Sequence, residues 1–442
     1  MVAVTEHLST YLAGFEQAEK QRAAEPKWLA GLRRSGMQRF AEAGFPTTRH
    51  EEYKYTNLSR LAKTSFRPAS AGTAGKEQLS AWRFAGLEGD CLVFVNGRFA
   101  ANLSRRSGQS GLEVDSFAAR LSGDRAGLEA HLARYTGKRE NVLAALNTAF
   151  FEDGAVIRIA DRAVLESPVH LMFVSTAEEP DTVSHPRVLI VAGRDSQAAV
   201  IENYVGLGDS VYWTNAVTEI VAGANARLEH CRLQQEGPAS FHTSFVEIHQ
   251  SRDSHVTAHS LSLGGSLVRN DVEVVLDDEA AECTLTGLYA AREHQHVDNR
   301  TCIDHAKPHG ASHQIYKGVL DGHSTGVFNG KIIVRPDAQK TDAIQSNKNL
   351  LLSEYATINT KPQLEIDAND VKCTHGATVG QIDEEAVFYL RSRGIGYAEA
   401  RALLTYAFAA DILERVSLVP VRDYVEAKLM NWLAGDGREV AR

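Results

Sequence analysis

The chain of 442 residues carries a formal net charge of −9, and its Lys and Arg residues are spread along its length without forming a basic stripe. Nucleic-acid binding is therefore not expected. No segment is apolar over the length needed to span a bilayer, and the N-terminus carries acids and amides where a secretory signal would be apolar, so we expect a cytoplasmic protein. The five cysteines form no CxxC pair, which argues against a disulfide framework and a zinc knuckle.

Residues 1–80 predict a helical domain. In "WLAGLRRSGMQRFAEAGF" the apolar residues Leu29, Leu32, Met37 and Phe40 recur at roughly helical spacings. The Ala-, Gly- and Ser-rich stretch "RPASAGTAGKEQLSAW" then predicts a loose linker. A domain boundary near residue 80 follows.

Residues 81–381 predict a β domain with a helical insertion near 114–152. After the insertion come about two hundred residues of short alternating runs separated by Gly, Asp and Asn, each run about the length of a strand. Comparable strands recur at steps of 27, 30, 27 and 30 residues, beginning at Ala199, Ala226, Val256, Cys283 and His313. A second strand lies within each step, so one repeat supplies two strands and two turns. Such a repeat is typical of a parallel β-helix.

A β-sandwich is the alternative fold for this segment. It requires Asn-Gly or Asp-Gly hairpin turns at many junctions, and the sequence has few. Small or β-branched residues at the predicted inward positions suit the narrow interior of a solenoid; examples are Ala226, Leu228, Val256 and Ala258. The sequence therefore favours the solenoid.

Residues 382–442 return to helical patterns. The middle helix, "YAEARALLTYAFAADILERV", is apolar on more than one face and includes Leu403, Tyr406, Phe408 and Ile412. Such a helix can bury one face on its own core and offer the other to a partner. A helix enclosed within its own domain is an equally good interpretation.

Familiar catalytic motifs are missing from the sequence. It has no G-x-x-x-x-G-K-[ST], no H-E-x-x-H, no G-x-S-x-G and no G-x-G-x-x-G between a strand and a helix. We therefore expect a chain that neither hydrolyses nucleotides nor carries a common hydrolase or dehydrogenase site.

Histidines concentrate in "EHQHVDNRTCIDHAKPHGASH", which contains His294, His296, Cys302, His305, His309 and His313. Neutral imidazole suits iron, zinc and copper, so metal binding is one hypothesis. The other interpretation, favoured on sequence alone, is an exposed polar sheet face on which these residues hydrogen-bond to their neighbours.

Cys373 and His375 stand two positions apart in "VKCTHGATVGQID". In an extended strand this spacing places both side chains on one face. A thiolate beside an imidazole could ligate iron or accept sulfur, because imidazolium or a metal lowers the thiol pKa. Two ligands do not complete a tetrahedral site, so either a second chain supplies the others or the pair is a buried Cys near a hydrogen-bonded His.

Four segments closely resemble the SufB/SufD family of iron-sulfur cluster assembly proteins. They are residues 338–395, "FPTTRHEEYKYTNL" at 45–58, "SHQIYKGVLDGHSTGVFNGKIIV" at 312–334 and "EARALLTYAFAADILERV" in the C-terminal helix. The resemblance covers essentially the whole chain, and "KCTHGATVGQID" is more similar to the SufD branch than to the SufB branch. Tyr53 departs from the family, which more often has Trp there.

The resemblance implies a right-handed parallel β-helix flanked by N- and C-terminal helical domains, and a non-catalytic scaffold subunit. Such a subunit pairs with SufB through the β-helix, and residues 382–442 dock the ATPase SufC. The surface expected to bind SufC includes Leu403, Tyr406, Phe408 and Ile412. His375, with Cys373 nearby, is expected to help hold a transient iron-sulfur cluster together with a cysteine of SufB.

The resemblance leaves cofactors, self-association and other functions open. No cofactor is expected to bind stably to the isolated subunit, although reduced flavin is conceivable in the complex, and an isolated homodimer is plausible. One alternative function is a SufB-type scaffold that acts alone. Another is a β-helix carbohydrate-processing enzyme, but such enzymes are commonly exported and this chain shows no export segment.

Overall fold

The computed structural model describes residues 2–123, 127–134 and 141–434, with side chains from residue 8 onward. Parts of all three predicted domains lie outside the described residues: residue 1 of the N-terminal domain, 124–126 and 135–140 of the helical insertion in the β domain, and 435–442 of the C-terminal domain. The described α-helices are α1 (Val2–Gln21), α2 (Lys27–Ala43), α3 (Ser59–Lys63), α4 (Lys76–Ser80), α5 (Phe117–Ser122), α6 (Leu128–His131), α7 (Val142–Phe150), α8 (Glu384–Ser392), α9 (Tyr397–Leu413) and α10 (Val419–Ala434). Short 3₁₀ helices span Glu51–Tyr53 and Ala101–Leu103.

Most of the chain between α7 and α8 is β-strand. The described strands are β1 (Arg67–Pro68), β2 (Cys91–Val95), β3 (Arg98–Phe99), β4 (Leu112–Ser116), β5 (Gly154–Ile159), β6 (Val169–Ser175), β7 (Thr182–Ser184), β8 (Arg187–Ala192), β9 (Gln197–Gly206), β10 (Tyr212–Ala222), β11 (Arg227–Gln235), β12 (Phe241–Gln250), β13 (His255–Ser262), β14 (Leu267–Leu276), β15 (Glu282–Ala291), β16 (His296–His305), β17 (Ala311–Leu320), β18 (Thr325–Val334), β19 (Asp342–Leu351), β20 (Thr357–Ile366) and β21 (Lys372–Gly380).

The strands form two mainly parallel sheets. The eleven-stranded sheet has the order β20-β18-β16-β14-β12-β10-β8-β5-β4, with β7 and β1 as a side branch, and the ten-stranded sheet has the order β21-β19-β17-β15-β13-β11-β9-β6-β2-β3. From β5 and β6 to β20 and β21, each coil gives one strand to each sheet, which makes eight coils. The predicted parallel β-helix, with helices at both ends of the chain, is thereby confirmed.

The register corrects the predicted repeat positions. Residues stacked on successive coils of the ten-stranded sheet are Ala199, Glu229, Thr257, Thr284 and His313. By subtraction these positions give steps of 30, 28, 27 and 29 residues. Two predicted starts, Ala199 and His313, fall in this register, whereas the other three lie one to three residues too early. The predicted inward residues Ala226, Leu228, Val256 and Ala258 do belong to the interior core.

One column of turns repeats the same backbone conformation. On six successive coils a residue adopts left-handed φ values of 56° to 63°: Asp195, Asn225, Asp253, Ala280, His309 and Lys340. Each donates its backbone N–H to the next coil, as Asn225 does to the carbonyl of Arg252 at 2.9 Å. Asn and Asp tolerate this conformation better than most residues, which explains why they recur in the turns between the predicted strands.

Helices cover both outer faces of the solenoid. The N-terminal helices and α7 pack on the eleven-stranded sheet around Phe40, Leu146, Trp213 and Phe241. Helices α9 and α10 pack on the ten-stranded sheet around Leu233, Leu288, Ile412 and Leu429. No helix of the described residues combines the length and the apolar run that crossing a bilayer requires.

Candidate functional site at the open end of the solenoid

The last coil leaves one edge of each sheet unpaired. Within the described residues, the only neighbour of β20 in its sheet is β18, and the only neighbour of β21 is β19. Apolar side chains are exposed on this coil, since Ile366 is 39% and Val379 is 50% accessible. Edge strands of nine and ten residues with exposed apolar side chains are a template for pairing with another chain. We call this end of the solenoid, formed by β20 and β21, the open end.

Cys373 and His375 lie on β21 at the open end. Their register partners on β19 are Ala343 and Gln345, both fully or almost fully buried in the solenoid interior. Because parallel strands in register point equivalent side chains to the same face, Cys373 and His375 share the inner face of β21. Among the described residues no strand follows β21 in the sheet, and His375 is exposed to solvent.

Cys373 is half-buried and packs beside the small apolar cluster that contains Val334 and Ala343. Burial raises the pKa of its thiol, and the nearby carboxylate of Asp342 adds to the effect. The environment of Cys373 therefore favours the neutral thiol and does not support the interpretation of the pair as a thiolate activated by the imidazole. In the described chain, no three His, Cys, Asp or Glu side chains are arranged to hold a metal ion.

Two residues of the predicted histidine-rich group, His305 and Cys302, are buried and His296 is half-buried, so the interpretation as an exposed polar face is wrong for these three. His296 faces outward with Nε2 3.0 Å from Thr56 Oγ1. His305 faces inward with Nε2 2.9 Å from Ser312 Oγ, and burial lowers its pKa to about 4. Cys302 is buried as well. Adjacent residues in this stretch therefore face opposite sides of the sheet.

The remaining histidines of this group are exposed but do not converge. His309 occupies the left-handed turn position described above, and His313 is exposed on β17. The ring of His294 stacks on His323 at 5.1 Å, and His323 stacks on Tyr355 at 4.7 Å. The structure thus does not bring the predicted group together at one metal site.

The four residues expected to dock a partner occupy different environments on α9. Leu403 is 37% exposed, and Tyr406 and Phe408 are half-buried. Burial and a hydrogen bond with Glu426 raise the pKa of Tyr406 to about 12. Ile412 is completely buried between the helices and the ten-stranded sheet. The prediction that Ile412 contacts a partner is therefore replaced by a structural role, since its side chain anchors α9 to the solenoid.

More exposed aromatic side chains lie on α8 and at the start of α9. Phe388 and Tyr389 on α8 are 73% and 58% exposed, and Tyr397 at the start of α9 is 47% exposed. Sequence reasoning missed all three. The available signal was the pair of adjacent aromatics in "EEAVFYL", because neighbouring positions on a helix point about 100° apart and cannot both face one core. We call Phe388, Tyr389, Tyr397 and Leu403 the aromatic surface.

The segment at residues 45–58 holds the N-terminal helices against the last coils of the solenoid through ion pairs and hydrogen bonds. Glu51 forms an ion pair with Lys361 on β20, and Glu52 accepts a 2.5 Å hydrogen bond from Arg300 on β16. Thr56 Oγ1 donates to Asp298 Oδ2 at 2.5 Å. A groove of about 640 Å³ runs beside this segment. These charged groups are paired within the chain. The conspicuous charged residues of the segment at 45–58 therefore have a structural role.

Two family models together cover nearly all of this chain. Residues 5–171 match the SufBD protein N-terminal region, and residues 173–408 match the SufBD core domain of the SUF system for iron-sulfur cluster assembly. The chain belongs to the SufB/SufD family. The family resemblance inferred from the four segments is thus confirmed.

SufD proteins are among the similar sequences. The chain is 34% identical over 404 residues to the iron-sulfur cluster assembly protein SufD of Escherichia coli, covering 91% of this chain and 92% of that protein. It is 34% identical over 421 residues to an iron-sulfur cluster assembly SufBD family protein of Synechocystis, covering 92% of each. SufD of Bacillus subtilis is 29% identical over 290 residues, covering 64% of this chain and 65% of that protein. The chain is therefore a SufD homologue of the SufB/SufD family.

Proposed function

We propose that this SufD homologue is a non-catalytic scaffold subunit that pairs with a SufB-type subunit through the open end and docks a SufC-type ATPase on its C-terminal helices. The observation that carries the proposal is the exposed His375 on the inner face of an unpaired edge strand. A chain that covers this edge would enclose the imidazole in a seam between two subunits. In this proposal, the transient iron-sulfur cluster is held between the two subunits at that seam.

The chemistry of the open end supports pairing with a second solenoid. Exposed apolar side chains such as Ile366 and Val379 gain free energy when a partner covers them, and the unpaired backbone groups of β20 and β21 gain hydrogen bonds. A partner of the same fold offers matching strands.

His375 can contribute a neutral nitrogen ligand to iron. A thiolate carries a full negative charge and holds iron firmly, whereas an imidazole is neutral. A cluster held partly by His375 and partly by a cysteine of the SufB-type partner is therefore suited to release. Cys373, whose environment favours the protonated thiol, has a smaller part in this proposal.

The aromatic surface supports the docking of an ATPase on α8 and α9. Its aromatic side chains are the residue types enriched at the energetic centres of protein interfaces. The sequence has no G-x-x-x-x-G-K-[ST] motif for binding nucleotide phosphates, so in this proposal nucleotide hydrolysis belongs to the partner.

The experiment is anaerobic cluster assembly by a complex of this chain with its SufB-type and SufC-type partners. We expect His375→Ala to lower the assembly rate by about 10- to 100-fold, while the complex still co-purifies. His313→Ala, which removes an exposed histidine of β17 away from the open end, should leave the rate unchanged. An unchanged rate in His375→Ala would remove that residue from the mechanism.

Pairing and docking are tested separately by co-purification. Ile366→Asp with Val379→Asp should abolish capture of the SufB-type subunit, whereas Val164→Asp, at a position 59% exposed on another part of the surface, should not. Phe388→Ala with Tyr389→Ala should abolish capture of the SufC-type subunit. Stable cluster binding by the isolated chain would instead favour a scaffold that acts alone.

A further inference from the structure

Gln345 lies directly beneath His375 in the solenoid. The two residues are register partners on adjacent parallel strands and share the inner face. Gln345 is almost completely buried, and its Oε1 atom has no hydrogen-bond partner within the described residues. A buried amide oxygen without a donor is unfavourable by about 1–3 kcal/mol. It therefore marks a position at which a donor is expected, and His375 lies on the adjacent strand.

A chain of hydrogen bonds between side chains uses the amide nitrogen of Gln345 and leaves its oxygen without a donor in the described chain. Thr301 on β16 accepts a hydrogen bond from Gln314 Nε2, and Gln314 Oε1 accepts one from Gln345 Nε2 at 2.8 Å. The amide nitrogen of Gln345 is thus engaged with β17 on the preceding coil, and its oxygen is the atom left without a donor in the part of the chain that the structure describes. The other neighbour of β19 in the sheet is β21, which carries His375.

Gly330 on the opposite sheet provides the space for the Gln345 amide. A Cβ atom placed on Gly330 would lie 2.8 Å from Cδ of Gln345 and 2.9 Å from Cζ of Phe328. Any larger residue at position 330 would thus displace the amide. The site beneath His375 therefore includes residues of β17, β18 and β19, and not Gln345 alone.

We propose that Gln345 is a positioning residue for His375. When the exposed ring of His375 turns toward the solenoid interior, Gln345 Oε1, which has no donor among the described residues, accepts a hydrogen bond from one ring N–H. This bond fixes the tautomer and leaves the lone pair of the other ring nitrogen free for iron. Partners of this kind orient metal-binding histidines in many proteins. The inference rests on the proposed role of His375, although the hydrogen bond itself is independent of it.

The experiment measures the tautomer of His375 in the full-length subunit. Protein labelled with ¹⁵N at histidine is examined by long-range ¹H–¹⁵N correlation at alkaline pH, where imidazole is neutral, and His375→Gln assigns the signal. We expect a single tautomer in the unmodified protein and a mixture in Gln345→Leu. Gln345→Glu, which keeps an acceptor oxygen, should restore a single tautomer, and Gly330→Ala should produce a mixture because it displaces the amide.

Gln250→Leu is the matched control. Gln250 is equally buried and also has an unpartnered Oε1, but it lies on β12 away from the open end. Its replacement should leave the His375 signals unchanged. The inference is overturned if the unmodified protein and Gln345→Leu show the same tautomer distribution.

Cluster assembly then distinguishes this inference from the proposed function. We expect Gln345→Leu to lower the assembly rate of the complex by about tenfold or more, with partial rescue by Gln345→Glu. If the tautomer shifts but both Gln345→Leu and His375→Ala assemble clusters normally, the positioning stands and the proposed role of His375 fails. If His375→Ala abolishes assembly but the tautomer does not respond to Gln345, the positioning fails and the proposed role stands.

Discussion

Arg269 on β14 places its guanidinium carbon 3.8 Å from the ring centroid of Tyr53. The same guanidinium forms ion pairs with Asp271 at 2.9 Å and Asp298 at 2.5 Å. All four side chains are buried. The ring of Tyr53 therefore covers a buried charge, which explains why an aromatic side chain is needed at this position.

Replacing Arg269 by Met should destabilise the protein by about 3–5 kcal/mol, because two buried carboxylates lose their partner. Urea unfolding followed by circular dichroism measures the change. Arg194→Met is the matched control, since the side chain of Arg194 is 59% exposed and its ion pair is worth less than about 1 kcal/mol. Equal losses in the two variants would contradict the assigned role of the buried cluster.

The coiled architecture could be predicted because strand alternation and turn residues repeat on every coil. Asn225 and Asp253 occupy the same left-handed turn position, and residues such as Leu228 and Val256 point inward on successive coils. The exact register could not be predicted, because coil lengths differ by one to three residues. A difference of one residue exchanges the inner and outer faces of a strand.

The candidate site was only partly predictable for the same reason. The two-residue spacing of Cys373 and His375 fixes a shared face in any strand, and the register places that face at the open end. By contrast, the helical pattern around Ile412 could not distinguish a face buried on the solenoid from one offered to a partner. The sequence could not show that Gln345 lies beside His375, because this neighbourhood depends on a strand register that pairs residues thirty positions apart.

Lys317 on β17 should hold α9 against the solenoid. Its Nζ donates to the carbonyl of Phe408 at 2.8 Å, pairs with Asp411 at 2.8 Å and lies 4.8 Å from the Phe408 ring centroid. Lys317→Met should cost about 1–3 kcal/mol and speed hydrogen exchange in α9. Lys348→Met, at the exposed register partner on β19, should change neither, so an equal effect there would refute the assignment.

Stability should fall as the pH drops from about 6.5 to about 4. Burial lowers the pKa of His305 to about 4 in the folded protein, whereas an unfolded histidine has a pKa of about 6.5. The unfolded state therefore binds more protons in this window, and each such histidine contributes a slope of about 1.4 kcal/mol per pH unit. His305→Gln should reduce the measured slope between pH 6 and pH 4. An unchanged slope would show that His305 is not among the groups responsible.

Cys373 should be the first cysteine to react with iodoacetamide in the native protein, yet more slowly than a free thiol. The other four cysteines are buried, whereas Cys373 is half-buried. Burial and then the charge of Asp342 raise the pKa of its thiol, so less of the reactive thiolate is present at neutral pH. Mass spectrometry of timed alkylation gives the rate at each site. Asp342→Asn should increase the rate at Cys373, whereas a rate at or above that of glutathione in the unmodified protein would show that His375 or another cation activates the thiol after all.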